Sequence, residues 1–453
     1  MTKTTKSKEM IRRPKGMHDL LPEDLRFVEK IVEKSKEIAE FYGFLPIETP
    51  HVESVDLFLR PLGETSDVVE KQMYTFRTKG GDFLALRPEG TAPIMRAYQE
   101  NGMVSWPHPI KLYYYGSFFR HENPQKGRYR EFRQFGAEVL GERDPMIDAL
   151  LIKVLYLILL EIGFSAKKGN EIVVHINSLG DKNCRPIFKR ELSNYYKKKF
   201  NYLCKDCKRR SKDNPLRLLD CKEVECSQIK SDAPQIINYL CVDCKEHFKL
   251  VLEFLDECKI PYNLDNYLVR GFDYYSRTVF EVFLDRQEKK EDENEKNEEN
   301  KSTKIALGGG GRYDDLMSLL GGKNLPSAGW GLGIERVMNE MKKQSLEPKK
   351  QLIPGVFLIQ IGPAAKKRSF TLVEELRKNG IAVSESLSRD NFRAQLKIAS
   401  KLGARVALII GQKEAMDGTF LLRDMEQETQ EMVTQVKLFD KIKFLLKKNP
   451  KSK

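Results

Sequence analysis

IKLYYYGSFFRHENPQKGRYREFRQFGAEVL, residues 110–140, is the stretch that decides the fold. Ile110 to Arg120 is rich in Tyr and Phe, residues 121–129 are polar, and Arg130 to Leu140 returns, which predicts a long antiparallel pair joined by a polar loop. Strand side chains alternate between faces, so Phe132, Gln134, Gly136 and Glu138 line up on one of them. A ring, an amide, a gap and a carboxylate in a row are not buried without partners, and this face reads as a site. A solvent-facing sheet surface is the plainer alternative.

Toward the N-terminus, Pro22, Glu23 and Asp24 open a helix with Leu25, Val28, Ile31, Val32, Ile38 and Phe41 at helical spacing, closed by Gly43. Leu45 to Pro50 reads as a short extended segment. Phe83 to Leu86 reads as a strand running into Arg87-Pro88-Glu89-Gly90-Thr91, with Thr91 capping the helix that follows to Gly102. Toward the C-terminus, Asp144 to Gly163 predicts an apolar helix and Glu171 to Ile176 a strand. Residues 178–262 form a basic, cysteine-bearing, mainly helical insert. Tyr267 to Phe283 then alternates as strand. Arg286 to Lys304, with six basic and seven acidic residues and nothing apolar, predicts a solvated, disordered loop. A second strand, Lys304 to Leu307, leads into Gly308 to Gly311, and Gly329 to Gly333 precedes a helix. Neither glycine run fits a phosphate or dinucleotide loop, and both read as close approaches of backbone to a ligand or a neighbouring strand. From Leu352 a β-α-β-α-β order marks a separate domain: strand Val356 to Ile361, helix Phe370 to Arg377, strand Ile381 to Ser384, helix Arg393 to Lys401, strand Val406 to Ile410. Phe420 to Asp424 and a basic helix and tail follow.

The 453 residues suggest about three domains. The longest apolar run, Val154 to Leu160, excludes a membrane-spanning chain. The basic start, Met1 to Lys15, has no apolar block, which argues against a secretory leader and for the cytoplasm. Net charge is +13, and residues 182–217 hold 13 basic residues against Glu191, Asp206 and Asp213, a footprint for a polyanion unless it is a solvated helix face. Six of eight cysteines crowd together as Cys204-x2-Cys207, Cys221-x4-Cys226 and Cys241-x2-Cys244. Cys204, Cys207, Cys241 and Cys244 are a candidate structural zinc site. Reduced, partly buried thiols are the other reading.

The motifs carry a resemblance. Phe119-Arg120-His121-Glu122, a loop, then Arg128-x-x-x-Phe132 resembles motif 2 of class II aminoacyl-tRNA synthetases. Gly329 to Arg336 resembles motif 3, and Leu45 to Pro50 the proline-terminated motif 1. Leu268-Val269-Arg270-Gly271-Phe272-Asp273-Tyr274-Tyr275 and Gly309-Gly310-Gly311-Arg312-Tyr313-Asp314 resemble strings special to the histidyl-tRNA synthetases, and with Arg87 to Thr91 the likeness spans about residues 11–445. It implies an α+β fold: an antiparallel-sheet catalytic domain (1–177 and 263–345), a helical insertion domain (178–262) and a C-terminal α/β anticodon-binding domain (346–453).

The implied activity is ATP-dependent formation of histidyl-adenylate from L-histidine and transfer of histidine to the 3′ end of its tRNA, by a cytoplasmic homodimer with Mg2+ accompanying ATP. Arg120 and Arg270 then resemble the arginines on the α-phosphate, with Arg270 the histidine-family catalytic cation. Glu122, Arg128 and Arg336 resemble the residues around the triphosphate, and Phe132 would stack under adenine. Glu89, Gly90, Thr91 and Gln134 fall at the amino-group contacts. Glu138 and Tyr275, with Tyr274 beside them, fall where the two ring nitrogens are read. Trp330 and Gly331 depart from the family's usual Phe and small residue, which bears on the adenosine pocket. Two rival readings have their own signatures. A non-catalytic paralogue, such as the regulatory subunit of ATP phosphoribosyltransferase, would lack the C-terminal domain and carry degraded motifs. Another class II synthetase would lack Arg270 to Tyr275 in this form.

Overall fold

Period-two alternation along residues 110–140 builds the centre of an eight-stranded sheet. In this computed structural model, which describes residues 10–62, 68–123, 127–165, 170–221, 223–287, 302–348, 354–387 and 390–447, the strands are β1 (Leu45–Pro46), β2 (Ile110–Phe119), β3 (Glu131–Leu140), β4 (Asn170–Ser178), β5 (Tyr262–Leu264), β6 (Ser276–Gln287), β7 (Ser302–Arg312) and β8 (Ser327–Gly333). Their order across the sheet is β1-β2-β3-β8-β7-β6-β4-β5. The two edge pairs, β1 with β2 and β4 with β5, are parallel, and the interior pairs are antiparallel.

The two faces of this sheet have different fates. Phe135, Ala137 and Val139 of β3 point into a core shared with helices α1 (Pro22–Phe41), α3 (Pro145–Ile162) and α4 (Ile334–Lys343), through Phe27, Ile31, Leu151, Leu155, Val337 and Met341. The helix α3 is set by its ends: the Asp144 carboxylate accepts the Met146 N–H at 2.8 Å, Pro145 fits the first turn, and Gly163 closes it at φ 120°. The opposite face carries Tyr114 and Phe118 of β2, packed with Ile94 and Met95 of α2 (Thr91–Glu100) and with Tyr274 and Tyr313. A small sheet of Val52–Ser54, Phe83–Leu86 and Tyr74–Arg77 sits before α2.

The glycine runs lie inside strands, where the sequence reading had only Lys304 to Leu307 as strand. Gly308 to Gly311 belong to β7 and pair with Leu332 to Gly329 of β8. The reason is space: a Cβ on Gly310 would lie 1.9 Å from the Gly329 carbonyl oxygen and 2.6 Å from the Trp330 Cα. Gly310→Ala is therefore expected to destabilise the protein by about 1–3 kcal/mol, read as a lower thermal midpoint of the full chain. At the end of β7, Arg312 is fully buried, and its Nη2 lies 2.6 Å from the Asp148 carboxylate of α3, itself 1% exposed, while Nη1 reaches Asp314 at 3.2 Å.

Three further expectations are corrected. Residues 267–275 are not strand, because β6 begins at Ser276; their backbone is held as a loop by side chains of the insert. The first helix of the C-terminal α/β unit starts at Pro363, not Phe370, since Gly362 at φ 84° turns the chain and Pro363 suits the first helical turn. The zinc grouping also changes. Cys204 and Cys207 gather with Cys221 and Cys226, whereas Cys241 and Cys244 gather with Cys184 and Asp181. Helix starts at Lys205 and Val242 place each CxxC pair, but the chain brings them to different partners. The charged run expected to be a loop lies outside the described residues at 288–301, and β6 and β7 border it.

The chain divides into two compact units, Met1–Pro348 and Lys349–Lys453. The second has a five-stranded sheet in the order Val383–Glu385, Val356–Gln360, Val406–Ile410, Thr419–Asp424, Gln430–Thr434, parallel in its first three strands and antiparallel after. The last strand was not expected. Helices Pro363–Lys378, Phe392–Lys401, Gln412–Asp417 and Gln435–Lys447 accompany it. The fold is thus mixed, with an antiparallel-dominated sheet in the first unit and an α/β second unit.

Candidate active site

The row read from β3 is the floor of the site. Gly136 opposes Tyr114 on β2 and Gly331 on β8, while Glu138 opposes Gly329. Both glycine partners are required by the neighbours they make room for. A Cβ on Gly136 would meet the Tyr114 ring at 2.3 Å, and one on Gly329 would lie 1.5 Å from Glu138 Oε2. Gly90 completes the cradle, since its Cβ would meet the same Tyr114 ring at 2.6 Å.

Two buried carboxylates stand on this floor. Glu89, after the strand Phe83–Leu86, accepts the backbone N–H groups of Thr91 and Ala92 at 2.7 and 2.8 Å at the start of α2. The Thr91 hydroxyl donates to Glu138 Oε1 at 2.9 Å, and the Tyr313 hydroxyl donates to Oε2. Tyr274 donates to Glu89 at 3.5 Å. Burial pushes the Glu138 carboxyl up to about 8, outweighing the hydroxyls of Tyr313 and Thr91, and Glu89 nearby adds to the rise. Glu89 is also raised by burial, against the two backbone donors. Glu89, Thr91, Glu138 and Tyr274 are therefore one connected polar set. Tyr275 stands against Tyr274 with centroids 4.8 Å apart. Gln134 lies on the same strand face, with its amide 3.4 Å from where a Gly331 Cβ would stand.

A cationic cluster borders this set. Arg120 donates from Nε to the Pro88 carbonyl at 2.8 Å, and its guanidinium lies 5.1 Å from the Phe132 ring centre and 5.4 Å from that of Phe272. Arg270 sits at the other end of the Phe272, Tyr274, Tyr275 aromatic run, 5.6 Å from the Tyr275 ring centre. Its Nη1 pairs with Glu281 at 2.5 Å, and its buried Nε has no acceptor among the described residues. Gly309 leaves it room, because a Cβ there would come within 2.9 Å of Nη1. Arg336 donates to the carbonyls of Gly127 and Ala306 at 3.3 and 3.1 Å. Arg128 is half exposed and faces Glu122 at 3.7 Å, while Glu122 lies 4.0 Å from Arg120. Burial lowers the affinity of Arg336 for its proton, and the nearby Arg128 and Arg120 lower it further, against Glu281 and Glu122. Four arginines facing two glutamates leave a net positive recess suited to a polyanion.

Sequence reasoning missed Tyr114, Tyr313, Glu281 and Arg87. Tyr313 stands inside a string already singled out, and the polar face of β3 signalled that Glu138 needs a donor. Glu281 faces Arg270 across a loop that was read as strand. Arg87 is 3% exposed and structural, donating to the Thr49 and Ser117 carbonyls at 2.7 and 3.0 Å. Trp330 does not border the recess: it is buried on the helix side, stacked on Phe135 at 6.2 Å.

The chain is similar to known proteins over nearly its whole length. A family model described as histidyl-tRNA synthetase matches residues 16–174, and one described as anticodon binding domain matches residues 355–445. The chain is 41% identical over 434 residues to a histidine–tRNA ligase of Dehalococcoides mccartyi, covering 96% of this chain and 99% of that one. It is 41% identical over 424 residues to one of Caldicellulosiruptor saccharolyticus, covering 93% and 96%. Among solved structures it resembles apo histidyl-tRNA synthetase of S. aureus with TM-score 0.75 and 32% identity, over 96% of this chain and 100% of that one.

Proposed function

The chain belongs to the histidyl-tRNA synthetase family, and from that premise we propose that the recess between β2, β3, β8 and the loop 267–275 activates L-histidine with ATP. The activity is that of a histidine–tRNA ligase: histidine is joined to AMP, then passed to tRNA. The observation that carries the site assignment is the junction of the buried Glu89, Thr91, Glu138 and Tyr274 set with the arginine cluster, joined by one aromatic run. A zwitterion with a polar ring and a polyphosphate are the two ligands such neighbours suit.

In this reading the histidine carboxylate oxygen attacks the α-phosphorus and pyrophosphate leaves. Arg120 and Arg270 meet the charge that grows on the α-phosphate oxygens, each fixed beforehand so that little reorganisation is needed. Arg128 and Arg336 take the β- and γ-phosphates, with Phe132 under adenine. Glu89, Thr91 and Gln134 take the ammonium group beside Gly90, while Glu138 and Tyr275 take the ring nitrogens, with Tyr274 beside them. Glu122 and Glu281, the carboxylates beside the proposed triphosphate, would hold Mg2+ brought with ATP, which would supply neutralisation of phosphate charge.

The test is amino-acid-dependent exchange of pyrophosphate into ATP across the standard amino acids. Stimulation by histidine alone supports the site, and histidine binding without exchange would favour the regulatory paralogue. That rival is not favoured by relatives named as ligases over nearly the whole chain.

We assign the tRNA to two basic regions. Residues 178–262 are read as an insertion domain near the acceptor end, which the 13 basic residues against three acidic ones in residues 182–217 support. Residues 346–453 are read as the anticodon reader. Deleting residues 349–453 is expected to leave pyrophosphate exchange intact while lowering tRNA charging by more than about tenfold, since a single lost base contact costs about 1–3 kcal/mol. Equal loss of both would sink the assignment.

A cytoplasmic homodimer is also proposed, through the edge beside β1, where Phe41, Leu45 and Val52 are 81%, 57% and 39% exposed. Sedimentation of the full chain checks the dimer. Among the described residues no helix is long and apolar enough to cross a membrane.

A further inference from the structure

Seven of the eight cysteines gather in two places, the second drawn from both ends of the segment that holds the first, and the geometry of both is that of single-metal centres. In the first, the sulfurs of Cys204, Cys207, Cys221 and Cys226 all lie within 4.8 Å of one another, and in the second the sulfurs of Cys184, Cys241 and Cys244 and a carboxylate oxygen of Asp181 do the same. Cys204 and Cys221 are 3.9 Å apart, and Cys184 and Cys244 are 3.8 Å apart. Four thiolates held about 2.3 Å from one tetrahedral zinc ion stand about 3.8 Å from each other. A multi-iron cluster would spread its sulfurs over several metals and does not fit so tight a group.

The surroundings are those of bound thiolates. Backbone N–H groups point at the sulfurs: Cys207 to Cys204 at 3.4 Å, Cys204 to Cys226 at 3.3 Å, and Asp181 to Cys184 at 3.2 Å. Asp181 presents Oδ1 to the sulfurs of Cys184 and Cys241 at 3.4 and 4.0 Å, while its Oδ2 faces Arg277 at 3.7 Å, the outer partner expected of a metal-bound carboxylate. Cys258 stands apart and exposed.

We propose that the segment from Asp181 to Cys244 binds two structural zinc ions, one held by Cys204, Cys207, Cys221 and Cys226, the other by Asp181, Cys184, Cys241 and Cys244. The ions staple helices and turns to one another around a core that holds Phe188, Leu192, Tyr196, Leu218 and Leu219. They also stand behind both grips on the loop 267–275. Arg185, next to Cys184, donates to the Tyr275 carbonyl, and Arg217, four residues before Cys221, donates to the Gly271 carbonyl; Asn214 holds Asp273 at 2.8 Å. Metal binding thereby fixes the backbone that carries Arg270 and Tyr275.

The test is the metal content of the full chain, purified from zinc-supplemented medium without a metal-affinity tag, by plasma mass spectrometry. Two zinc ions per chain are expected, with one lost in Cys221→Ser, the other lost in Cys244→Ser, and both kept in Cys258→Ser. Cobalt-loaded wild-type protein should show tetrahedral d–d bands with thiolate-to-metal charge transfer, a readout that does not depend on any variant folding. Wild-type protein with eight reactive thiols and no zinc, with disulfides at these cysteines, or with iron and labile sulfide overturns the proposal. One ion per chain overturns the centre whose variant leaves the content unchanged. A several-fold rise in KM for histidine on metal removal is also expected; that readout rests on the histidine site proposed above, whereas metal content does not.

Discussion

Arg270→Ala is expected to lower kcat for histidine-dependent pyrophosphate exchange by about 10²–10³-fold, the usual cost of removing one fixed donor from a developing oxyanion. The guanidinium is held ready before substrate arrives, paired with Glu281 at 2.5 Å and given room by Gly309. Its buried Nε has no acceptor among the described residues, an arrangement that favours an incoming anion over rest. KM for histidine should change little, because the ammonium group and ring are proposed to be held by Glu89, Thr91, Gln134, Glu138 and Tyr275 rather than by Arg270. A variant with normal kcat and a raised KM would turn Arg270 into a substrate-positioning group. Glu281 loses its partner in the mutant, so a circular dichroism melt of Arg270→Ala should accompany the kinetics.

Glu138→Gln is expected to lower kcat/KM for histidine about 10- to 100-fold, the worth of one hydrogen bond to a charged acceptor. The pH profile is the sharper measurement. Burial lifts this carboxyl from an ordinary 4.5 to about 8. At neutral pH the free enzyme therefore holds Glu138 mostly protonated, and the proton must leave before the group can accept from a neutral imidazole. Above pH 7, where the free imidazole is already neutral, kcat/KM should rise with pH, reach half its limit near pH 8 and level off about one unit above that. In Glu138→Gln that rise should vanish. A wild-type profile flat over this range, or a variant that keeps the rise, would remove Glu138 from ring recognition. Stability carries the opposite sign. The folded state binds this proton more tightly than the unfolded chain, so the contribution of Glu138 is fully present below about pH 4.5 and is lost as pH climbs through about 8.

The legible part of the fold was what depends on side-chain period. Alternation along residues 110–140 put Gln134, Gly136 and Glu138 on one face and Phe135 and Ala137 on the other, and the packed structure keeps that division. Glycine punctuation was harder. A glycine run signals close approach without saying what approaches; here the neighbour is another strand, and Gly308 to Gly311 are strand themselves. Contacts between remote segments were not legible from local pattern. Spacing paired the two CxxC elements with each other, whereas the fold gives each a different partner. The loop 267–275 alternates like a strand but is held out of the sheet by Arg185 and Arg217, whose bonds to it span 90 and 54 residues of chain. The site itself was legible mainly through motif resemblance, and the donors to Glu138 required the fold.

The pairing of β3 with β8 has a consequence for synthesis. Leu140 faces Ser327, so the two strands that carry the floor of the site leave the ribosome about 190 residues apart, a gap of about 10–40 s at ordinary elongation rates. Through that interval β3 is the open edge of a nascent sheet, with Glu138 lacking both Tyr313 and the cover of Gly329. The enzyme's exposure to misassembly is therefore set less by its finished stability than by how fast residues 141–326 are translated, and synonymous codon changes confined to that window should alter soluble yield while leaving the purified protein unchanged.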